Sequence, residues 1–175
     1  SPSSTENHGW RVHIEISKDN GKTWTSTSPL NNPEKIALIQ PTLLIHTDNK
    51  IQMLCRSKNS KIFSSWSADK GMSWGDFSSI GLPNPNSGID AVTTNEGRFI
   101  LVYNHISCKP GEHWGDRNIL NVAVSDDGLH WQAAVLLEND PDKDAEYSYP
   151  AVIQTKNGLI HITYTWNRKQ IKYVV

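Results

Sequence analysis

The chain has 175 residues, of which 37% are hydrophobic and 20% are charged, as in ordinary globular proteins. Its 17 Lys and Arg residues nearly balance its 18 Asp and Glu residues, and no apolar run approaches the ~20 residues of a membrane helix, so we expect neither a nucleic-acid nor a membrane partner. The two cysteines cannot form a disulfide framework, and no His or Cys pair has metal-site spacing, so we expect neither a metal nor a cofactor.

A short motif recurs three times along the chain. The copies span residues 17–24, 67–74 and 125–131, and each contains a Ser, an Asp and a Gly and ends in a Trp. Each copy follows an alternating, β-rich run, at 11–16, 61–66 and 119–124, which predicts a strand. Ser and Asp side chains bond to turn N–H groups, Gly supplies a positive φ, and the Trp ring packs on a neighbouring layer. Each motif therefore predicts a hairpin.

Further strands are predicted between the motifs, at 42–46, 51–56, 89–93, 99–104, 150–155 and 159–166. Tight-turn sequences connect them at 48–50, 95–97 and 156–158. The resulting unit has four strands, and the motif recurs at a spacing that is compatible with propeller blades. We expect an all-β fold, a partial β-propeller of about three blades of four-stranded antiparallel sheets.

The strand count also predicts the domain organisation. Residues 1–8 are expected to be disordered or a linker, and residues 9–175 to hold two complete blades flanked by two partial ones. Propellers have roughly four to eight blades, so this much chain is not expected to close a ring alone. We expect either that it is part of a longer protein or that copies associate to complete the propeller.

The residues between the repeats resemble the second half of the sialidase (neuraminidase) superfamily, whose repeated turn is called an Asp box. From about residue 39 to the end, their order is similar to that of the family. Arg56, in the segment Leu-Cys-Arg-Ser (54–57), and Arg117, ahead of the third box, match two arginines that bind the substrate carboxylate. Tyr147, in the segment Glu-Tyr-Ser (146–148), matches the Tyr-Ser pair that opens the next blade, so the resemblance implies that Tyr147 is the nucleophile.

The chemistry of these residue types is coherent, with one departure. Two guanidinium groups hold a planar carboxylate by bidentate bonds, and a neutral phenol approaches an acidic sugar without charge repulsion. A phenol with a pKa near 10 needs a base. At the family's base position, sixteen residues before Arg56, the chain has Gln40, which cannot accept a proton. Glu146 can assist Tyr147 only if the strand bulges, because successive strand residues point to opposite faces.

Three more residues are candidates for substrate binding. Asn86 and Asp90 lie in a polar loop that enters a strand, where they either contact a ligand or cap the turn. Asn104 ends the strand that follows. The acidic stretch 138–144 resembles a Ca²⁺ loop only loosely, and we interpret it as a solvated loop.

Two functions of different classes follow. The first is a sialidase-like glycoside hydrolase, or a fragment of one, that acts on an acidic sugar. The alternative is a non-catalytic glycan-binding propeller, which Gln40 favours, and a protein-interaction propeller is a third interpretation. The expected partner is an acidic glycan or sugar, and the family resemblance favours a secreted or periplasmic protein.

Overall fold

The computed structural model describes residues 9–175, and the regular structure in this range consists of strands. The predicted linker at 1–8 lies outside the described residues. The thirteen strands are β1 (Glu15–Ile16), β2 (Thr25–Ser26), β3 (Leu38–Ile45), β4 (Ile51–Ser57), β5 (Lys61–Ser67), β6 (Ser78–Pro83), β7 (Asp90–Thr93), β8 (Phe99–Tyr103), β9 (Ile119–Ser125), β10 (Gln132–Asn139), β11 (Tyr147–Gln154), β12 (Ile160–Trp166) and β13 (Gln170–Val174).

The strands form consecutive antiparallel sheets, which confirms the prediction of an all-β partial propeller. Strands β3 to β6 and β7 to β10 make two four-stranded sheets, β11 to β13 make a three-stranded sheet, and β1 pairs with β2. Strand β1 is shorter than the predicted 11–16. The backbone carbonyls of Val12 and Ile14 still accept bonds from Leu30 and Thr27, but these bonds are isolated and do not extend the ladder.

Among the first strands of the three larger sheets, β7 contacts both β3 and β11, along the inner edge of the array. Apolar side chains fill the spaces between neighbouring sheets in three clusters. The cluster between the two four-stranded sheets includes Leu44, Leu54, Ile62, Phe99 and Leu101. The next contains Leu120, Val152 and Tyr164, and the third packs Val12 against Leu38 and Met53. The first two clusters each require two sheets, and the third requires the irregular segment around Val12, so the stability of each blade depends on its neighbours.

All three Asp boxes form the predicted hairpin turn. In the first box, Gly21 N donates to Ser17 Oγ (2.7 Å), Thr23 N donates to Asp19 Oδ1 (2.8 Å), and Trp24 Nε1 donates to the Gly21 carbonyl (3.0 Å). The second box repeats these bonds. The third, one residue shorter, keeps them because His130 N takes the place of the Thr23 amide. Bonds from Thr23 lower the pKa of Asp19 to about 2.

The antiparallel pairing places the boxes and the candidate functional residues at opposite ends of the strands. The second and third boxes join the third strand of a sheet to the fourth, so they lie where first strands end and second strands begin. Arg56, Asn86, Arg117 and Glu146 lie at the other end, where first strands begin. We call this end, with its loops 58–60, 84–89, 104–118, 140–146 and 167–169, the site end.

Candidate functional site

Arg56, near the end of β4, is a buried cation. Its side chain packs between neighbouring segments, and the residue is only 2% exposed. Its Nε donates to Asn86 Oδ1 (3.1 Å) and its Nη1 donates to Gln40 Oε1 (2.9 Å). Within residues 9–175, none of the ion pairs includes Arg56. Burial lowers the pKa of Arg56. A carboxylate partner would stabilise a buried guanidinium, but the side-chain oxygens that Arg56 binds here belong to neutral amides.

Arg117 is held differently, by a carboxylate. Its Nη1 lies 3.1 Å from Glu146 Oε1, and the other oxygen of Glu146 lies 2.6 Å from Arg168 Nε. The hydroxyl of Ser148 also donates to Glu146 Oε1 (2.6 Å). Burial opposes ionisation of Glu146, but bonds from Arg168 and Ser148 and the charge of Arg117 outweigh it and lower its pKa. Glu146 therefore anchors two arginines as a carboxylate and is not poised to accept a proton.

Tyr149 lies where the two predicted arginines converge. Its residue is 46% exposed, and its ring centroid lies 5.6 Å from Arg117 Cζ. Partial burial favours the neutral phenol, but hydrogen bonds from Arg117 and Arg56, together with their charges, lower the pKa of the Tyr149 hydroxyl. Gly88 makes room for the ring, since a Cβ there would lie 3.1 Å from Tyr149 Cδ1. Tyr149 is thus an exposed phenol that lies beside the guanidinium of Arg117 and is influenced by the charges of both arginines.

Tyr147, the sequence-based choice of nucleophile, lies elsewhere. It is 3% exposed, and its hydroxyl donates to Asp140 Oδ2 (2.8 Å) rather than facing the arginines. Burial and the carboxylate of Asp140 raise the pKa of Tyr147 to about 12. Tyr147 therefore packs in the second hydrophobic cluster, and the tyrosine whose ring lies beside Arg117 is Tyr149, two residues later.

The backbone explains this difference. The register of β11 against β12 shifts between Ser148 and Ala151, and Tyr149 has φ 51°. The same arrangement occurs in β3, where the register shifts between Ile39 and Thr42 and Gln40 has φ 52°. A positive φ is costly for residues other than Gly, and such strain persists where the surrounding structure imposes it. Each residue precedes a proline, a shared signal that strand periodicity does not reveal.

Two more of the predicted residues, Asn86 and Asn104, bind protein groups beside the site. Asn86 binds Arg56 and also donates from Nδ2 to the His113 carbonyl (2.8 Å). Asn104 is fully buried and donates to the Ile119 and Tyr147 carbonyls (2.7 and 2.8 Å). The sequence grouped Asn104 with ligand contacts, but the structure gives it bonds to the backbone.

Asp90 also binds protein groups. Its Oδ1 accepts the Thr42 hydroxyl (2.8 Å), and its Oδ2 accepts the Val152 N–H (2.8 Å). Because Thr42 and Val152 belong to the two neighbouring sheets, both oxygens of Asp90 are occupied by the strands on either side. Asp90 joins three blades in this structure, whereas the sequence placed it among the ligand contacts.

Two tryptophans that sequence reasoning did not single out complete the site end. The ring centroids of Trp10 and Trp114 lie 5.4 and 5.7 Å from Arg56 Cζ. Both come from irregular segments, where periodicity gives no information. The abundance of tryptophan was a signal, since the three Asp boxes account for only three of the seven.

Neither a metal cluster nor a spanning helix is found in the described part of the chain. Among residues 9–175, no group of three or more His, Cys, Asp and Glu side chains could hold a metal ion. No helix in the same range has the length and apolar character needed to cross a membrane.

The comparisons with known proteins agree with this architecture. The model of the BNR repeat-like domain matches residues 1–162. The chain therefore belongs to the BNR repeat-like domain family. A search of curated proteins found no match.

Solved structures define the fold more closely. The intramolecular trans-sialidase from Ruminococcus gnavus is 13% identical, with a TM-score of 0.73 over 94% of this chain and 37% of its own. The leech intramolecular trans-sialidase is 14% identical, with a TM-score of 0.71 over 95% of this chain and 27% of its own. An α-L-arabinanase from Penicillium chrysogenum is 20% identical, with a TM-score of 0.61 over 91% of this chain and 50% of its own. These similarities show a sialidase-like fold of the kind found in glycoside hydrolases.

The chain is shorter than these proteins. It spans 24% of the NanB sialidase from Streptococcus pneumoniae, to which it is 18% identical with a TM-score of 0.68 over 89% of this chain. It also spans well under half of the two trans-sialidases.

Proposed function

We propose that the site end binds the carboxylate of an acidic sugar between Arg56 and Arg117, with Tyr149 facing the anomeric carbon, and that the protein is a sialidase-like glycoside hydrolase. The observation that carries this proposal is that two guanidinium groups bind the same residue, Asn86, beside one exposed phenol whose pKa their charges lower. The sialidases with the same fold are named for activity on sialic acid, which carries such a carboxylate. In this proposal the nucleophile is Tyr149 and not Tyr147.

The contacts of Arg56 support an anionic ligand. A buried guanidinium is stabilised by a carboxylate, yet its hydrogen-bond acceptors here are the amide oxygens of Gln40 and Asn86, besides the Tyr149 phenol. A ligand carboxylate placed beside Tyr149 would accept bonds from Arg56 and Arg117 together. Because the ion pair with Glu146 already holds Arg117 Nη1, the second guanidinium is preorganised for this role.

The ionisation of Tyr149 supports a nucleophilic role. The two arginines lower its pKa and thereby favour the phenolate, which is the nucleophilic form. Tyr147, with a pKa raised to about 12, is much harder to ionise. The arginines thus supply part of the activation that a base would otherwise give.

Gln40 favours a second candidate function, a non-catalytic glycan-binding propeller. Its side chain lies 2.9 Å from Arg56 Nη1, in the position that the resemblance gives to the base, and a carboxamide cannot accept the phenol proton. On this alternative the arginines bind an acidic sugar and no bond is cleaved.

The full-length protein separates the two candidates. A fluorogenic sialoside, a uronic-acid glycoside and a neutral glycoside would each be incubated with the wild type, and binding of the matching free sugars would be measured by calorimetry. The hydrolase proposal expects release from an acidic glycoside and loss of release in Tyr149→Phe. The alternative expects saturable binding of acidic sugars without release. Equal binding of acidic and neutral sugars would contradict both.

Two substitutions sharpen the result. Arg56→Ala should weaken binding of the acidic sugar roughly 10- to 100-fold, because charge-assisted hydrogen bonds contribute about 1.5–3 kcal/mol. If Gln40 limits turnover, Gln40→Glu should raise the rate by about 100-fold, the lower bound for general-base assistance. Arg98→Ala serves as a control on folding and charge, because Arg98 is an exposed arginine that pairs with Asp126 at the opposite end of the strands.

A further inference from the structure

Trp10 and Trp114 form an aromatic pair at the site end. Their ring centroids are 5.7 Å apart, and their planes are inclined by 76°, an edge-to-face arrangement. Both rings contact the guanidinium of Arg56, at 5.4 and 5.7 Å. Trp114 is nevertheless 51% exposed. A large apolar ring therefore faces solvent directly beside the proposed carboxylate site.

One of the two residues that hold Arg56, Asn86, also binds the loop that carries Trp114. Asn86 accepts a bond from Arg56 Nε (3.1 Å) and donates to the backbone carbonyl of His113 (2.8 Å), the neighbour of Trp114. The position of the indole is thereby tied to that of the guanidinium. An exposed ring that is held in place in this way loses little conformational entropy on binding a ligand.

The surroundings of the pair suit a sugar ring. The Nζ of Lys58 lies 4.6 Å from the centroid of the Trp10 ring, so a donor for hydroxyl groups borders the aromatic surface. His113, beside Trp114, is exposed. An apolar surface bordered by a few polar groups is the usual composition of a small-ligand site, and it matches a pyranose, which has an apolar C–H face and polar edges.

We propose that Trp114, supported by Trp10, binds a second, neutral sugar ring linked to the acidic sugar, so that the protein recognises a glycan of at least two residues. This inference rests on the proposed function, since it takes the acidic sugar to lie between Arg56 and Arg117. The competing interpretation is that the two indoles only cover Arg56 and exclude water from it. The two interpretations differ in which ligands lose affinity when Trp114 is removed.

Calorimetric titration of the full-length protein tests the inference. The ligands are a free sialic acid, the same acid joined to a neutral hexose through a non-hydrolysable sulfur linkage, and a neutral disaccharide. The wild type should bind the linked compound about fivefold more tightly than the free acid, the scale of a single aromatic contact. Trp114→Ala should remove this advantage and leave affinity for the free acid nearly unchanged, whereas Trp114→Phe should keep most of it.

Trp24→Ala is the matched control, because Trp24 is also an exposed tryptophan but belongs to the first Asp box. It should leave both affinities unchanged. Equal wild-type affinity for the free and linked acids would overturn the inference, and so would an equal loss of both in Trp114→Ala. If neither acid binds but the neutral disaccharide binds through Trp114, the aromatic subsite stands and the proposed function fails. If no ligand binds, both fail.

Discussion

The two ends of the strands differ in how completely the chain satisfies its own polar groups. At the box end, the Gly N–H to Ser Oγ distances are 2.7, 2.8 and 2.9 Å, and each aspartate accepts backbone bonds within its own turn. At the site end, the buried guanidinium of Arg56 donates to the neutral amides of Asn86 and Gln40 within residues 9–175, and Gln40 itself is a strand residue with positive φ. The box end therefore satisfies its own polar groups, whereas the site end keeps a buried charge that a ligand can use.

The largest expected effect tests how tightly the box end is packed. Gly128, in the third box, has φ +73°, and a Cβ there would overlap the side chain of the buried Gln52, which also donates to the Gly128 carbonyl (2.9 Å). Gly128→Ala should therefore lower the free energy of unfolding by roughly 2–5 kcal/mol, from left-handed strain together with overpacking. Urea denaturation would measure it.

Gly21→Ala is the matched control in the first box. Gly21 has φ +85°, but among the described residues a Cβ there would meet just Trp24 Cζ2, at 3.8 Å, which is ordinary van der Waals contact. Gly21→Ala should lower the free energy of unfolding by about 1–2 kcal/mol, because the substitution adds left-handed strain without overpacking. Equal losses in the two variants would show that contact with Gln52 does not limit packing at the third box.

The next effect separates the two tyrosines. Tyr149→Phe should leave the free energy of unfolding nearly unchanged and, if the protein is a hydrolase, reduce turnover by about 100-fold or more. Tyr147→Phe should cost about 1 kcal/mol of stability, because its hydroxyl donates to Asp140, and should leave ligand binding unchanged. The measurements are glycoside release and denaturant titration, and a reversal of the two results would restore Tyr147 as the nucleophile.

The ionisation of the same pair gives an independent comparison. Burial raises the pKa of Tyr149, but the two arginines lower it by more, so its pKa lies below the ordinary value. The pKa of Tyr147 is raised to about 12. As the pH rises, Tyr149 should therefore ionise first. NMR of ¹³Cζ-labelled tyrosine would follow both residues, and Arg117→Ala should move the Tyr149 transition to higher pH. Ionisation of Tyr147 first would contradict the assigned geometry.

Acid should weaken the box end. Hydrogen bonds lower the pKa of Asp19 and of Asp69 from 3.8 to about 2 in the folded chain. The unfolded state then binds more protons between these values, so the boxes contribute their full stability above about pH 4 and lose it as the pH falls towards 2. Thermal unfolding from pH 6 to pH 2 would show the decline, and Asp69→Asn should make it shallower. An unchanged slope would mean that this carboxylate does not stabilise the fold.

The smallest expected effect separates two adjacent aspartates. Asp127 accepts bonds from the Leu129 and His130 amides (both 2.8 Å), whereas Asp126 makes an exposed ion pair with Arg98. Asp126→Asn should change the free energy of unfolding by less than about 0.5 kcal/mol. Asp127→Asn should cost about 1 kcal/mol. Similar values for the two in urea denaturation would indicate that the box geometry contributes little.

Much of the fold could be predicted from the sequence, because the Asp boxes and the strand periodicity are local signals. The site could be predicted only in part. Arg56 and Arg117 lie together, but the exposed tyrosine beside Arg117 is Tyr149 and not Tyr147, and the alternating pattern cannot reveal the register shift between Ser148 and Ala151 that places it there. The sequence also could not show that Asp90 and Asn104 bind protein groups, because their partners lie in other strands.

The bridge formed by Asp90 has a kinetic consequence. One carboxylate holds Thr42 of one sheet and the Val152 amide of another, so the three inner strands cannot rotate separately without breaking it. Arg56, Arg117 and Tyr149 extend from these three sheets, and their spacing is therefore set before a ligand arrives. Association should follow a single fast phase without a slow isomerisation, and the Val152 amide should exchange with deuterium as slowly as amides of the hydrophobic core.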